Sequence, residues 1–150
     1  MILTRLFLLG SVISLLNGCQ PKPGTVPLAG TWELISATAT ERDSTFSTFN
    51  PNQKMIKIIN DTHFAFLNHD SRPTPDSAAV PFTAGGGTYT LTDSVYTEHL
   101  DYFIDKAWEN HDFQFVVTIS GDTLTQKGVE KLEKLGIDRI IIEKYRRVKK

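Results

Sequence analysis

The stretch 82–103, FTAGGGTYTLTDSVYTEHLDYF, places three consecutive glycines beside a run in which threonine and tyrosine alternate. Such a segment is either a glycine-rich loop that binds phosphate or part of a β-barrel wall. A phosphate loop requires a following helix whose amino end faces the anion. Here TYTLT follows, and its period of two with β-branched and aromatic residues predicts a strand. We therefore predict that Gly85, Gly86 and Gly87 form a bend or bulge in a strand.

The second half of the stretch, SVYTEHLDYF, predicts a polar patch on the inner face of such a wall. Alternation places Tyr96, Glu98 and Tyr102 on one face, and Tyr89 lies in the preceding strand of the same hairpin. An unpaired buried carboxylate is costly, so Glu98 requires tyrosine hydroxyls, a base such as Lys57, or water. These residues are candidate ligand contacts. A structural tyrosine and glutamate network without a ligand is the equal alternative.

The period of two continues through the rest of the chain from Leu28 onward. Runs of alternating apolar and polar residues predict strands near 30–38, 53–60, 63–69, 84–91, 94–102, 112–120, 122–127 and 138–147. Asn60-Asp61, Thr92-Asp93 and Gly121-Asp122 are predicted as tight hairpin turns. This pattern predicts an all-β protein, an eight-stranded antiparallel up-and-down barrel, because closure removes both exposed edges. A two-sheet sandwich is the alternative.

One short helix is predicted before the last strand. VEKLEKLG, which begins at Val129, places Val129, Leu132 and Leu135 on one helical face and offers Gly136 as a left-handed cap. FIDKAWEN, at 103–110, can form another turn or two. We expect the leucines to pack against one end or flank of the barrel.

Aromatic residues complete the expected lining of the barrel. Phe115 belongs to the alternating run FQFVVTIS and is a candidate ligand contact, although core packing is the default for that run. Phe46 and Phe49 lie in the otherwise polar loop 39–52, and long loops in compact domains often cover binding sites. We place these two phenylalanines near the mouth of a cavity, with ordinary packing into the core as the equal alternative. A phenylalanine lining favours an apolar or flat aromatic ligand.

The amino terminus predicts export and lipid anchoring. A short basic start precedes the apolar run 6–16, which is too short to span a bilayer and is typical of a secretory signal. Leu16-Asn17-Gly18-Cys19 resembles the bacterial lipobox, and this resemblance implies that Cys19 carries the lipid. The predicted organisation is a lipoprotein signal peptide at 1–18, the lipidated cysteine with a proline-rich stalk at 19–27, and a barrel domain at 28–150.

The residues around Cys19 also suggest an address. Cys19 is the only cysteine of the chain, so an internal disulfide is excluded. Gln20, where an aspartate would signal retention, resembles lipoproteins sent to the outer membrane, and no acidic export run follows. We therefore expect an outer-membrane lipoprotein on the periplasmic face, attached to the membrane by its lipid anchor.

The start of the predicted barrel, Leu28-Ala29-Gly30-Thr31-Trp32, resembles the G-x-W signature of lipocalins and their calycin relatives. In that family the tryptophan closes one barrel end and an arginine near the last strand stacks on it. Arg139, Arg146 and Arg147 are candidates here, and we select Arg146 for its position near the carboxyl end. With GGGTYTL at its centre and IIIEKYRRVKK at its end, 28–150 resembles small lipocalin-like lipoproteins of Bacteroidetes-type bacteria.

Composition argues against several function classes. The formal net charge is −1 without a basic stripe, so nucleic-acid binding is not expected, and the terminal RRVKK is read as a solvated strand end. The four histidines show no metal-ligand spacing, and no nucleophile elbow appears. We therefore predict no catalytic residues, metal or cofactor. The only acid-base pair considered is His63 with Glu98.

These observations predict a lipid-anchored cell-envelope protein that binds a small apolar or amphipathic molecule inside a β-barrel. The alternative is an envelope interaction or structural lipoprotein whose barrel is packed and binds nothing inside.

Overall fold

A computed structural model describes residues 26–73 and 82–149 of the chain. The predicted signal peptide, Cys19 and most of the stalk lie outside these residues. The strands are β1 (Gly30–Glu41), β2 (Ser44–Ser47), β3 (Gln53–Ile59), β4 (His63–Asp70), β5 (Phe82–Thr92), β6 (Val95–Phe103), β7 (His111–Ser120), β8 (Thr123–Leu132) and β9 (Ile137–Arg147). Two short 3₁₀ turns, Lys106–Trp108 and Glu133–Leu135, complete the described elements.

Eight of these strands form a closed barrel. Each strand pairs antiparallel with its neighbour in the order β1, β3, β4, β5, β6, β7, β8, β9, and β9 pairs again with β1. The predicted eight-stranded up-and-down barrel is therefore confirmed, and the two-sheet alternative is wrong. The short strand β2 was not predicted; it pairs with the end of β1, where Glu41 lies opposite Ser44.

The predicted helix before the last strand is reduced to one 3₁₀ turn. Residues from Val129 to Leu132 continue β8, with Val129 opposite Ile140 and Leu132 opposite Ile137. Val129 and Leu132 lie on opposite faces of this strand, so the helical spacing of VEKL is overridden by the backbone pairing of β8 with β9. Gly136 adopts φ 67°, so the left-handed cap is confirmed. None of the helical turns in the described ranges is long and apolar enough to cross a membrane.

The three glycines mark a bulge, as predicted. The pairing of β5 with β6 shifts register between Gly86 and Gly87. A Cβ on Gly87 would collide with the carbonyl oxygen of His99, so only glycine permits this approach of the two strands. The bulge shifts alternation after Leu100, so that Phe103 rather than Tyr102 faces inward.

The barrel has a closed end at the turns 60–62, 93–94 and 121–122. Asn60-Asp61 and Gly121-Asp122 lie in hairpin turns as predicted, whereas Thr92 still belongs to β5 and the turn is Asp93-Ser94. Segment 26–29 folds across this end, and the indole nitrogen of buried Trp32 donates to the carbonyl oxygen of Leu28 at 2.8 Å. Fully buried side chains, including Trp32, Val117 and Leu124, fill this half of the barrel.

Arg147, not the selected Arg146, covers Trp32. The Arg147 guanidinium carbon lies 3.9 Å from the indole ring, and its nitrogens donate to the carbonyls of Ala29 and Pro27, both at 2.9 Å. Trp32 and Arg147 are direct partners across β1 and β9, and directly opposed residues share a face. Arg146 faces outward and forms an exposed ion pair with Glu33 at 3.6 Å.

Candidate functional site

The half of the barrel away from Trp32 is hollow. A main cavity of about 280 Å³ lies inside it, and its wall combines aromatic, aliphatic and charged side chains. A second cavity of about 210 Å³, the mouth cavity, adjoins it near segment 48–50 at the open end. The two share five lining residues: Met55, Glu130, Arg139, Ile141 and Glu143. Binding pockets for small ligands usually measure roughly 300–1,000 Å³, so the main cavity suits a small molecule.

Lys57 forms the floor of the main cavity with two partners from distant strands. Its ammonium nitrogen donates to Glu98 Oε1 at 2.7 Å and to Gln126 Oε1 at 3.1 Å. Lys57 is 3% exposed, and its nitrogen also lies 5.4 Å from the ring centroid of Tyr145. The desolvation of this cation is offset by the carboxylate, the amide oxygen and the aromatic face. Alternation along β3, β6 and β8 turns all three polar side chains inward.

Glu143 and Tyr145, both from β9, add a second polar group. The Tyr145 hydroxyl donates to Glu143 Oε2 at 2.6 Å. Burial raises the pKa of the Glu143 carboxyl, and the charges of Glu98 and Glu130 add to that rise, whereas Lys57 and the tyrosine hydrogen bond oppose it. Burial also raises the pKa of the Tyr145 phenol, so Tyr145 stays protonated and acts as the donor.

A third polar group separates the two cavities. Arg139 Nε donates to Glu130 Oε2 at 2.7 Å, and a second guanidinium nitrogen lies 2.7 Å from the same oxygen. Both side chains are half-buried and line both cavities. The pair joins β8 to β9, where Glu130 lies directly opposite Arg139.

Four aromatic rings in contact form one wall of the main cavity. Centroid distances are 5.9 Å for Phe66 to Phe103, for Phe103 to Trp108 and for Trp108 to Phe113. Trp108 comes from the turn Lys106–Trp108, which is held by the Glu109 carboxylate accepting the backbone N–H of Phe103 at 3.0 Å. Rings at these separations pack favourably and present a continuous apolar surface.

Three of the seven candidate ligand residues line the cavities. Glu98 and Phe115 line the main cavity, and Phe49 lines the mouth cavity. Tyr96 is fully buried but is not among the lining residues, and its hydroxyl has no hydrogen-bond partner within the described part of the chain. Tyr89 packs on Tyr96 at 5.1 Å, and its hydroxyl donates to the Asn60 carbonyl at 2.7 Å near the closed end.

The remaining two candidates line neither cavity, and the predicted inward position of Tyr102 is wrong. Tyr102 is 70% exposed on the outer face, because the bulge at Gly86 and Gly87 interrupts the alternation on which the prediction depended. Phe46 is 43% exposed on β2, where it lies opposite buried Ala39 and so shares the inner face, but it lines neither cavity.

Sequence reasoning missed most of the polar lining. The missed residues are Gln126, Glu130, Arg139, Glu143 and Tyr145, with the aromatic Phe103 and Trp108. Alternation through IDRIIIEKYRR already places Arg139, Glu143 and Tyr145 on one face, so that signal was present. The mistaken helix from Val129 concealed the inward position of Glu130.

The geometry does not bring together the acid-base pair that the sequence suggested. His63 is exposed on the outer face with its Nδ1 2.7 Å from the Thr62 hydroxyl, whereas the Glu98 carboxylate lies inside the barrel. Among the described residues, no group of three or more histidine, cysteine, aspartate or glutamate side chains is arranged to hold a metal ion.

An open apolar groove lies on the outer wall beside the glycine bulge. Its volume is about 690 Å³, and it crosses β4, β5 and β6 at the three glycines. The exposed apolar side chains around it are Leu67, Phe82, Tyr102 and Ile104. A cluster of exposed apolar side chains can mark an interaction site.

Comparisons with known proteins give a family without an assigned activity. No curated protein matches the chain significantly. The family model described as a domain of unknown function, DUF4488, matches residues 27–150 and thus covers the whole barrel. The chain therefore belongs to the DUF4488 family.

Proposed function

We propose that this chain is a lipid-anchored cell-envelope protein that binds a small apolar or amphipathic molecule inside its β-barrel. The observation that carries the proposal is the main cavity, about 280 Å³ of space between an aromatic wall and a charged floor. Protein interiors are normally packed with few voids larger than a water molecule. A cavity of this size forfeits packing energy, which a bound ligand would restore.

The polar floor supports the same proposal. Buried ion pairs such as Lys57 with Glu98 are often no more stabilising than apolar side chains of similar size. Few polar groups in a largely apolar cavity are the usual means by which pockets orient a ligand. The floor thus fits recognition better than it fits stability alone.

The location rests on the amino terminus. The lipobox resemblance at Cys19 implies several acyl chains, and each buried methylene contributes about 0.8 kcal/mol, so anchoring would be stable. The arrangement of Gly30, Trp32 and Arg147 supports a lipocalin-like relationship, since that resemblance implies a tryptophan two residues after a glycine and an arginine near the last strand that stacks on it. The outer membrane, on its periplasmic face, is the proposed site.

The test is to identify what the barrel carries in its native host. The full chain with Cys19→Ala is purified, and extracted small molecules are analysed by mass spectrometry. We expect one molecule to copurify in stoichiometric amount. Ile141→Phe, which projects a larger side chain from the wall that both cavities share, should strongly reduce this, whereas Ile140→Phe on the outer face should not. Equal yields from these neighbouring variants, or an empty protein throughout, would contradict the proposal.

The alternative, an envelope interaction or structural lipoprotein, draws support from the outer apolar groove. In that case another envelope protein covers Tyr102 and Ile104, which are 70% and 74% exposed. The double variant Tyr102→Lys with Ile104→Lys separates the two proposals. If the barrel binds a ligand, this double variant should keep its copurifying molecule. If the alternative holds, the double variant should lose a cross-linked complex with another envelope protein, and Ile141→Phe should retain that complex.

A further inference from the structure

The charges around the main cavity do not balance. Two cations and three carboxylates line it: Lys57, Arg139, Glu98, Glu130 and Glu143. Two of the carboxylates have partners, since Glu98 pairs with Lys57 at 2.7 Å and Glu130 pairs with Arg139 at 2.7 Å. Within the described ranges no ion pair within 4.0 Å involves Glu143.

Glu143 also has an unused oxygen. Tyr145 donates to its Oε2, and the described residues offer no hydrogen-bond donor to its Oε1. That oxygen is not fully enclosed by protein atoms, and Glu143 lines both cavities. The free oxygen is therefore open to the space that a ligand would occupy.

This arrangement discriminates between ligand charges. A cation near Glu143 would gain a charge-assisted hydrogen bond in an environment from which water is largely excluded. A neutral ligand would leave the carboxyl without an ionic partner. An anionic ligand would meet the one uncompensated carboxylate, Glu143, because Lys57 and Arg139 already have carboxylate partners.

We infer that the cavity takes an amphipathic amine, whose ammonium group donates to Glu143 and whose apolar body lies against the wall that contains Phe103, Trp108 and Phe113. The inference rests on the proposed function and narrows its ligand class. The small volume limits the body to about one aromatic ring with a short chain.

Three matched probes test the ligand class on the unaltered cavity. The full chain with Cys19→Ala is titrated calorimetrically at pH 7 with 2-phenylethylamine, 2-phenylethanol and 3-phenylpropionate. These probes share a ring and a short chain and differ in charge. We expect the amine to bind about tenfold more tightly than the alcohol, because a hydrogen bond to a charged group contributes more than a neutral one. The propionate should bind most weakly.

Glu143→Gln tests the residue. The amide keeps the shape and an acceptor for Tyr145 but removes the charge, so the preference for the amine over the alcohol should fall to about twofold or less. Affinity for the alcohol should be unchanged. The matched control is Glu33→Gln, whose carboxylate is outside the barrel and pairs with Lys54 at 3.8 Å. That variant should retain the full preference.

The outcomes separate this inference from the proposed function. Binding of the alcohol or the propionate as tightly as the amine overturns the inference and leaves cavity binding standing. Binding of none of the probes also overturns it, and the copurification experiment then decides separately on the proposed function. If Glu143→Gln does not fold, the ranking of the three probes on the unaltered cavity still decides.

Discussion

The two halves of this barrel are built from the same strands and differ in how their interiors are filled. At the closed end, buried Trp32, Tyr96, Val117 and Leu124 leave little space. At the open end the same alternation surrounds the main cavity of about 280 Å³. The comparison shows that alternation decides which side chains face inward, whereas the sizes of opposed residues decide whether the interior is solid.

Glycines opposite phenylalanines help to explain the hollow half. Gly85 lies opposite Phe66, and Gly128 lies opposite Phe115. A Cβ at either glycine would meet the opposing phenylalanine ring, so each ring lies in the space that a side chain would otherwise occupy. Rings that lie along the wall over a glycine project less into the barrel centre. The result is a thin aromatic wall around open space.

The largest expected effect is a loss of folding stability when a buried side chain is removed from the closed half. Trp32→Ala should destabilise the protein by about 4 kcal/mol, because it removes a large, fully buried ring and leaves a cavity. Trp108→Ala, in the half-buried wall of the open half, should cost about 2 kcal/mol or less and mainly weaken ligand binding. Urea denaturation measures both. Equal losses of stability would show that the open half is as tightly packed as the closed one.

The next effect concerns the boundary between the halves. Lys57→Met should cost about 3 kcal/mol, because it leaves Glu98 buried without its cation. The double variant Lys57→Met with Glu98→Leu should recover stability to within about 1 kcal/mol of the parent, since apolar side chains can replace a buried ion pair. A double-mutant cycle by urea denaturation measures the coupling. A double variant no better than Lys57→Met would contradict this account.

A smaller effect distinguishes two adjacent arginines at the closed end. Arg147→Ala should cost about 2 kcal/mol, because it removes the contact with Trp32 and two hydrogen bonds to carbonyl groups. Arg146→Ala removes an exposed ion pair and should cost less than about 0.5 kcal/mol. Thermal unfolding compares the two, and the reverse order would restore Arg146 as the residue that covers the tryptophan.

The smallest effect is a pH dependence of folding stability caused by Glu143 in the open half. Because the pKa of Glu143 is raised above its usual 4.5 in the fold, the folded protein binds an additional proton between 4.5 and that raised value. Stability attributable to this group is therefore full at low pH and declines as pH rises through that window. Glu143→Gln should raise Tm relative to the parent at pH 8 and change it little at pH 4. A Tm difference that does not vary with pH would contradict the assignment.

The sequence predicted the fold class and part of the candidate site. Alternation and turn residues are local signals, so the strands, the barrel and the glycine bulge could be derived from them. Glu98 and Phe115 were placed inside for the same reason. Tyr102 was misplaced because a bulge shifts alternation by one residue, and its position depends on the pairing of two strands. Glu130 was missed because the local spacing of Val129 and Leu132 favours a helix, whereas the pairing of β8 with β9 keeps this segment extended.

What the sequence determined by itself is the period of each strand, and through it the closed antiparallel barrel with Trp32 at its start. Only the tertiary structure decided which inward residues meet across the barrel. Lys57, Glu98 and Gln126 come from three strands that are far apart in sequence, and their hydrogen bonds depend on the stagger of the whole barrel. The same holds for Arg147 over Trp32 and for the free oxygen of Glu143, because register and closure are collective properties of all eight strands.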